Sequence, residues 1–366
     1  MKSTDPKIQA LILALSSIGK IGPVKIKMLL AMVANPLDLF DWDREEFCKV
    51  PGISSTLADY IVSKLNPEKG YKILEWAEKH AYSVLTLADA DYPKSLKKIY
   101  DPPPFIFLNG NIIEEDIRSI AIVGARTASE YGRTMAHKIA RELTSHGITV
   151  VSGMAVGVDS SAHRGALVAG GRTLAVLGSG IDVVYPRTNK KLYEEISQQG
   201  SVLSEFLPGV GPNPPHFPRR NRVISGLSQG IIVVEAGQKS GALLTADLAL
   251  SQGKKLFAVP GQLTSKMSAG TNELIKSGAH LLSSIDDIFS VLPELKSDYI
   301  VPQRRAEADL TEGENLMFSR LSDEPKQLDE LVRECRLSVS DTATYLLSLE
   351  LRGLVKQLSG KRFITV

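Results

Sequence analysis

Hydrophobic positions in the first part of the chain recur at helical spacing. Ile8, Leu11, Ile12 and Leu15 lie three or four positions apart, the period at which side chains share one face of a helix. Glycine and proline separate this stretch from similar ones that follow, for example at Pro51-Gly52. The pattern predicts an all-helical domain over residues 1–85.

A different pattern begins near the proline run at residues 102–104. Short apolar runs rich in β-branched residues alternate with helical stretches, and most of the runs are followed by glycine. Such alternation is typical of βαβ units, in which helices cover both faces of a parallel sheet. It predicts an α/β, Rossmann-like core with a mostly parallel sheet over residues 86–295. The predicted strands are Phe105–Leu108, Ile120–Val123, Thr149–Val151, Leu174–Leu177, Ile231–Val234 and Leu256–Val259.

The C-terminal part of the chain has a third organisation. Residues 296–312 are polar and charged without a core pattern, which predicts a linker. Residues 313–366 contain three helical stretches and a terminal hairpin around Ser359-Gly360. Helices followed by a small β-wing predict a winged-helix domain.

Composition narrows the range of functions. A length of 366 residues suits two or three domains, and a net charge of +2 means that any nucleic-acid site must come from clustered basic residues. Cys48 and Cys335 lie far apart and lack partners at metal-ligand spacing, so we expect small apolar side chains, a reducing compartment and no metal site. The apolar stretch Ile8–Leu15 is too short to span a bilayer. We therefore expect a cytoplasmic protein without membrane contact.

Several predicted strands end in glycine-containing loops that precede a helix. The carboxyl ends of parallel strands meet at one edge of a sheet, so we expect these loops to converge there. Backbone amides at a helix N-terminus bind anions, and Arg126 adds a fixed positive charge. The full G-x-G-x-x-G fingerprint is absent, so no dinucleotide or other cofactor is predicted. The loop residues are Gly124-Ala125-Arg126, Gly153, Gly178-Ser179-Gly180 and Lys239-Ser240-Gly241.

The segment from Phe217 to Arg222 concentrates positive charge. Three arginines fall within four positions beside a phenylalanine, and no Asp or Glu occurs between Glu205 and Glu235. The surrounding prolines and Asn221 predict a loop before a helix. Guanidinium groups bind phosphates bidentately, and an exposed phenylalanine ring can stack on an unpaired base. We expect this loop to bind the phosphates of a single strand.

Other motifs have simpler interpretations. Ser152, Asp159 and His163 lack the G-x-S-x-G context of a hydrolytic triad, and Asp159 is expected to cap the helix that runs to Val168. No catalytic residue is predicted. Near the start, turns at residues 18–23 and 50–54 are similar to a helix-hairpin-helix (SAM-like) pair, although Lys20 and Ser54 replace two of its glycines. Such a pair serves either as a DNA contact or as a packing module.

Taken in order, these motifs resemble the DprA/Smf family, the DNA-processing proteins of bacterial natural transformation. The resemblance runs from about Gly19 to the C-terminus and is most specific between Ile120 and Gly278. It implies a Rossmann-like homodimer that binds single-stranded DNA without catalysis, protects the incoming strand and loads RecA recombinase onto it. Ala125 stands where the family often has serine or threonine. The DNA contacts that motifs and resemblance suggest are Gly124, Ala125, Arg126, Gly153, Gly178, Ser179, Gly180, Phe217, Arg219, Arg220, Asn221, Arg222, Lys239, Ser240 and Gly241.

Two other functions compete with this one. The sheet is distantly similar to lysine-decarboxylase-like nucleotide phosphoribohydrolases, but their Pro-Gly-Gly-x-Gly-Thr loop is absent, and the comparable strand end reads Glu235-Ala236-Gly237. Release of free base from nucleoside monophosphates would favour that enzyme. A regulator that reads duplex DNA through the winged helix predicts sequence-specific duplex affinity that is lost on cutting near Gly313.

Overall fold

A computed structural model describes residues 5–296, 310–322, 325–351, 354–358 and 360–365. The chain forms two compact units, Met1–Pro302 and Gln303–Val366. Among the described residues, every helix is too short or too polar to cross a membrane.

The first unit begins with helices that pair as hairpins around their own apolar core. Gly19 and Gly52 lie in the two hairpin turns at φ of +76° and +79°, which glycine adopts without strain. Ser54 caps α4 by accepting from the amide of Leu57, so the residue that departs from the hairpin pattern has a structural role. The helices are α1 (Pro6–Ser16), α2 (Pro23–Met32), α3 (Arg44–Cys48), α4 (Ser55–Lys64) and α5 (Pro67–Lys79).

Nine strands of the described chain form one sheet in the order β1-β2-β6-β5-β4-β3-β7-β8-β9. The seven strands from β6 to β9 in this order run parallel, whereas β2 is antiparallel to both β6 and β1. The strands are β1 (Ser83–Thr86), β2 (Phe105–Gly110), β3 (Ser119–Val123), β4 (Thr149–Ser152), β5 (Thr173–Val176), β6 (Ser201–Ser204), β7 (Gly230–Val233), β8 (Lys255–Ala258) and β9 (His280–Leu281).

Helices cover both faces of the sheet. The central strands are buried on every residue, as expected for β-branched runs covered on two sides. Helices α6, α10 and α11 pack on one face, and α7, α8 and α13 pack on the other. The remaining helices are α6 (Lys94–Lys97), α7 (Glu130–Ser145), α8 (Val158–Val168), α9 (Lys190–Gln199), α10 (His216–Leu227), α11 (Gly241–Ser251), α12 (Ala269–Lys276) and α13 (Ile285–Val291).

The second unit is a small winged helix with its own core. Its helices are α14 (Glu312–Arg320), α15 (Leu328–Cys335) and α16 (Val339–Leu351). Strand β10 (Lys326–Gln327) lies between α14 and α15, and the wing strands β11 (Val355–Leu358) and β12 (Arg362–Thr365) follow α16. Strand β12 pairs with both β10 and β11. Buried Met317, Leu331 and Phe363 join these elements. The predicted fold class, an α/β core between helical-hairpin and winged-helix parts, is thereby confirmed.

Several local expectations need correction. Strands β1, β6 and β9 were not expected: β1 and β6 have only two apolar residues each, flanked by serine or threonine, and β9 has two residues in all. Asp159 is not the cap of α8. Gly157 occupies that position, and Asp159 lies within the first turn and accepts from the amide of Ala155. Cys48 is exposed rather than packed as a small apolar residue, whereas Cys335 is buried.

Candidate functional site

The order in which successive strands are added to the sheet changes direction between the parallel neighbours β3 and β7. From β3 the chain builds β4, β5 and β6 on one side, and from β7 it builds β8 and β9 on the other. Loops after two such strands diverge and leave a crevice at the carboxyl edge, where open α/β sheets bind ligands. A cavity of about 480 Å³ lies there, and loops after β3 and β7 and the start of α10 line it. Fold topology therefore points to this edge.

The loop after β3 is held in a fixed shape by the strand beside it. The amide of Ala125 donates to the carbonyl of Glu235 at 2.8 Å, and the buried Glu235 carboxylate accepts from the amide and hydroxyl of Ser129 at 2.8 and 2.6 Å. Gly157, at φ +83°, packs against the carbonyl of Ala125, where a side chain has no room. These contacts leave Arg126 exposed at the mouth of the cavity.

The loop after β7 faces it across the cavity and leads into α11. Ser240 caps this helix by accepting from the amide of Ala242 at 3.3 Å. Throughout the described part of the chain, no acceptor lies within hydrogen-bond reach of the amides of Arg126, Lys239 and Gly241. Such amides, together with the positive end of the helix dipole, form an anion site. The Lys239 ammonium adds a mobile positive charge.

The segment that the sequence placed on a loop is helical. Helix α10 begins at His216, and Pro218 is tolerated because it lies in the first turn, where a missing amide hydrogen costs little. Neighbouring residues on a helix point in different directions, so the three arginines do not form one positively charged surface patch. Phe217, Arg220 and Asn221 face the cavity.

Arg220 is the buried member of this group. Its guanidinium donates to the carbonyls of Gly153 and Val176, the latter at 2.7 Å, and to Oδ1 of Asn221 at 3.0 Å. Burial lowers the pKa of Arg220 to about 10, with Asp159 opposing and Arg126 reinforcing the shift. Burial likewise raises the pKa of Asp159, and Arg220 opposes that shift. Arg220 therefore joins the ends of β4 and β5 beneath the cavity and contributes positive charge from below.

Phe217 forms a platform for Arg126. The guanidinium carbon of Arg126 lies 4.6 Å from the centre of the ring, and that of Arg220 lies 6.0 Å away. A methyl group at Gly178 would lie 3.0 Å from the ring edge, so the absent side chain makes room for the ring. Tyr185 approaches at 6.1 Å between ring centres. The ring thus already contacts a cation, whereas the sequence suggested that it was open to a base.

Arg219 and Arg222 are committed to a buried acid. Glu205, whose side chain is 1% exposed, lies 3.1 Å from Arg219 and pairs with Arg222. Arg222 also pairs with Asp101 at 3.2 Å. The sequence has no acid between Glu205 and Glu235, but the fold brings Glu205 itself, at the end of β6, to Arg219 and Arg222 and neutralises them. Burial raises the pKa of Glu205, and the two arginines counteract that shift.

The loop after β5 supports the site from beneath. The Ser179 hydroxyl donates to the carbonyl of Val183 at 2.7 Å, and the amide of Gly180 donates to that of Val210 at 2.8 Å. These groups bind within the protein instead of facing the cavity. The structure brings together at the cavity Gly124, Ala125, Arg126, Phe217, Arg220, Asn221, Lys239, Ser240 and Gly241. It places Gly153, Gly178, Ser179, Gly180, Arg219 and Arg222 behind or beside this group.

The residues considered for a hydrolytic triad do not form one. Ser152 donates to the carbonyl of Ile122 at 2.6 Å, and His163 Nδ1 is bonded to the Thr173 hydroxyl at 2.7 Å. Burial lowers the pKa of His163, and Arg220 and Arg164 add to this effect, so that the pKa is about 3. Within the described ranges, no group of three or more His, Cys, Asp or Glu side chains is arranged to hold a metal ion.

Some contributors were missed from the sequence. Thr127 and Met267 line the cavity, and Tyr185 flanks Phe217. Tyr185 follows β5 a few residues after the predicted contacts Gly178–Gly180, so an aromatic residue near that loop was the available signal. Glu205 directly follows β6, but its pairing with helix α10 is a tertiary contact that no local pattern indicates.

Sequence comparison identifies similar families along the chain. The family described as DNA recombination-mediator protein A matches residues 83–293. A DprA winged-helix domain matches residues 301–361, and a SAM-like helix-hairpin-helix tandem matches residues 12–68. The Smf protein of Synechocystis sp. is 32% identical over 97% of this chain and 98% of its own length.

Two solved structures show the same fold. DprA of Streptococcus pneumoniae superimposes with a TM-score of 0.67 at 32% identity and covers 79% of this chain and 98% of its own. DNA processing protein A of Helicobacter pylori, described for its single-stranded DNA binding mode, gives a TM-score of 0.53 at 33% identity over 59% of this chain and 97% of its own.

Proposed function

Because this chain belongs to the DprA/Smf family of DNA-processing proteins, we propose that it binds single-stranded DNA at the cavity between β3 and β7. In this proposal the protein holds the strand without catalysis and passes it to the RecA recombinase. The DNA-binding mode described for the Helicobacter pylori relative supports the choice of ligand. The geometry of the cavity supports the choice of binding site.

The phosphates are held by two kinds of donor. Amides of Arg126 and Gly241 point from facing loops, and the Arg126 and Lys239 side chains supply charge. Backbone amides that contact phosphates do not distinguish between bases, so binding is independent of the DNA sequence, as expected for a protein that binds any strand. Unpaired strands fit because a cavity of about 480 Å³ admits a flexible backbone but not a duplex, whose major groove alone is about 12 Å wide.

One observation carries the proposal: the Arg126 guanidinium is held over the Phe217 ring at 4.6 Å, opposite the amide-bearing start of α11. A cation fixed on a ring loses less conformational freedom on binding than a free side chain does. Arg220 adds buried charge beneath. The site is therefore preorganised for an anion before the strand arrives.

The direct test compares two double variants that remove the same charge. Arg126→Gln/Lys239→Gln should weaken the binding of labelled oligothymidylate at least tenfold, because two charge-assisted phosphate contacts are lost. Lys72→Gln/Lys79→Gln, on the exposed side of α5, should bind as the wild type does. Unlabelled single strands should compete and duplexes should not. Equal affinity of the two variants would remove the cavity from the site.

The handover to a recombinase and the self-association of the chain are parts of the same proposal. Two copies that present their cavities to one strand would raise the effective concentration of the second site. Sedimentation with and without oligothymidylate tests for a dimer. The loading is tested by the rate at which RecA hydrolyses ATP on single strands that are already coated with a single-strand-binding protein. A rate that the wild-type chain does not increase would contradict the proposed handover.

A further inference from the structure

A second cationic surface lies at the opposite edge of the sheet. We call it the lysine cluster; its members are Lys94, Lys97, Lys98, Lys254 and Lys255. In the described part of the chain, none of these five ammonium groups is within 4.0 Å of a carboxylate. Lys254 is partly buried. Burial lowers its pKa most, and the nearby charge of Lys98 lowers it to a smaller extent. The cluster thus concentrates positive charge without a direct ion-pair partner among the described residues.

The fold places this cluster at the far ends of the two helices that begin at the cavity. Helix α6 packs on the last turns of α10, where the Ser95 hydroxyl donates to the carbonyl of Leu227 at 3.3 Å. Helix α11 ends at Ser251, and Lys254 follows its closing turn. An 11-residue helix is about 16 Å long, so the cluster and the cavity lie roughly that far apart.

An aromatic side chain accompanies the cluster. Tyr100 is 81% exposed and lies two residues after Lys98. The Lys27 ammonium donates to the carbonyl of Ile99 at 3.4 Å and so fixes the backbone between them. Exposed rings beside lysines are the combination with which proteins hold unpaired strands, since every base has a face that stacks.

From this arrangement we propose that the lysine cluster is a second contact site for the same DNA strand that the cavity binds, with Tyr100 available to stack on a base. The inference rests on the proposed function and extends it from one site to a path along α10 and α11. Asp247 is exposed midway along α11, so the strand is held at the two ends of this path rather than along its middle. At a rise of 3.4 Å per stacked nucleotide, the path spans about five nucleotides.

The test varies both charge and strand length. Lys97→Gln/Lys98→Gln/Lys254→Gln removes three charges from the cluster, and Lys69→Gln/Lys72→Gln/Lys79→Gln removes three from the exposed side of α5 as a control. Oligothymidylates of about 4 and about 16 nucleotides span the range of strand lengths that one binding fold occupies. The full-length protein is used throughout, and thermal unfolding confirms that each variant folds.

The cluster variant should bind the long strand severalfold more weakly than wild type, with the slope of log K against log salt reduced by about 2 for three contacts at about 0.7 each. Its binding of the short strand, which the cavity alone accommodates, should match wild type. Tyr100→Ala should weaken the long strand and leave the short one unaffected.

Unchanged affinity and slope for the long strand would overturn the inference and leave the cluster to another polyanion, such as an acidic peptide. Weaker binding of the short strand would also overturn it, because the cluster would then act through the cavity. Failure of the proposed function is distinguishable: in that case Arg126→Gln/Lys239→Gln binds the short strand as well as wild type does.

Discussion

The contact between Arg126 and Phe217 allows a quantitative test of how the site works. In the structure the ring supports the guanidinium, which contacts a phosphate in the proposed complex. A cation–π contact at an exposed site contributes about 0.5–1 kcal/mol. Phe217→Leu, which keeps an apolar side chain but removes the ring, should therefore weaken oligothymidylate binding by about two- to fivefold, since 1.4 kcal/mol corresponds to tenfold.

A double-mutant cycle tests the reason for that loss. In the Arg126→Gln background the ring has no cation to support, so Phe217→Leu should have no further effect, and the coupling should equal the single effect of about 0.5–1 kcal/mol. The assay is fluorescence anisotropy with labelled oligothymidylate at fixed salt. Arg219→Gln, which alters an arginine that pairs with Glu205 and does not line the cavity, should leave the dissociation constant within about twofold, or about 0.4 kcal/mol.

The reasoning would be refuted if Phe217→Leu had the same effect in both backgrounds. Equal losses mean that the ring contacts the DNA independently of Arg126. Stacking of a base on an aromatic ring contributes about 1–3 kcal/mol, so the expected loss in that case is about five- to 150-fold in each background. The two mechanisms therefore differ in both coupling and magnitude.

Three further changes test the support of the site. Gly178→Ala should weaken DNA binding, because its methyl group would lie 3.0 Å from Phe217 and must displace the ring; overpacking of this kind costs about 1–3 kcal/mol, measured by urea unfolding alongside anisotropy. Glu205→Gln should destabilise the fold by about 3 kcal/mol in urea unfolding, the lower end of the range for a broken buried pair, because Arg222 would keep only the partly exposed Asp101 as its anion. His163 has a pKa lowered to about 3, below its usual 6.5, so the unfolded chain binds the proton first and stability falls as pH drops below 6.5, by about 2 kcal/mol at pH 5; His163→Gln should flatten this dependence.

Two of these changes have a matched control. Gly211→Ala adds the same methyl group where no atom lies within 4 Å and should alter neither binding nor stability. His80→Gln changes an exposed histidine and should keep the wild-type dependence of stability on pH. Normal DNA binding by a destabilised Gly178→Ala protein would show that the position of Phe217 does not matter, and full stability of Glu205→Gln would show that Arg222 does not depend on the acid.

The sequence predicted those features that local patterns encode. The β-branched runs marked the central strands, and a parallel sheet brings their carboxyl ends to one edge, so the convergence of Arg126 and Lys239 followed from topology. The site was harder to predict in detail. Prolines at residues 214, 215 and 218 indicated a loop, although a helix tolerates proline in its first turn. Because the segment is helical, Arg222 forms a buried ion pair with Glu205 instead of lying on an exposed loop, and only tertiary packing supplies this partner.

The role of Phe217 also depended on distances that no sequence pattern contains. A phenylalanine beside arginines is compatible with base stacking and with support of a cation, and the 4.6 Å contact to Arg126 favours the second. Gly178 likewise looked like a residue that exposes its amide, but its missing side chain makes room for the ring.

Amide hydrogen exchange with and without oligothymidylate tests the central claim most directly. The amides of Arg126, Thr127, Lys239 and Gly241 have no acceptor among the described residues, so they should exchange quickly in the free protein. Slower exchange across residues 124–128 and 238–242 on adding the strand is the expected result. Protection confined to the helical hairpins or to the winged helix, with both of these loops unchanged, would contradict the account.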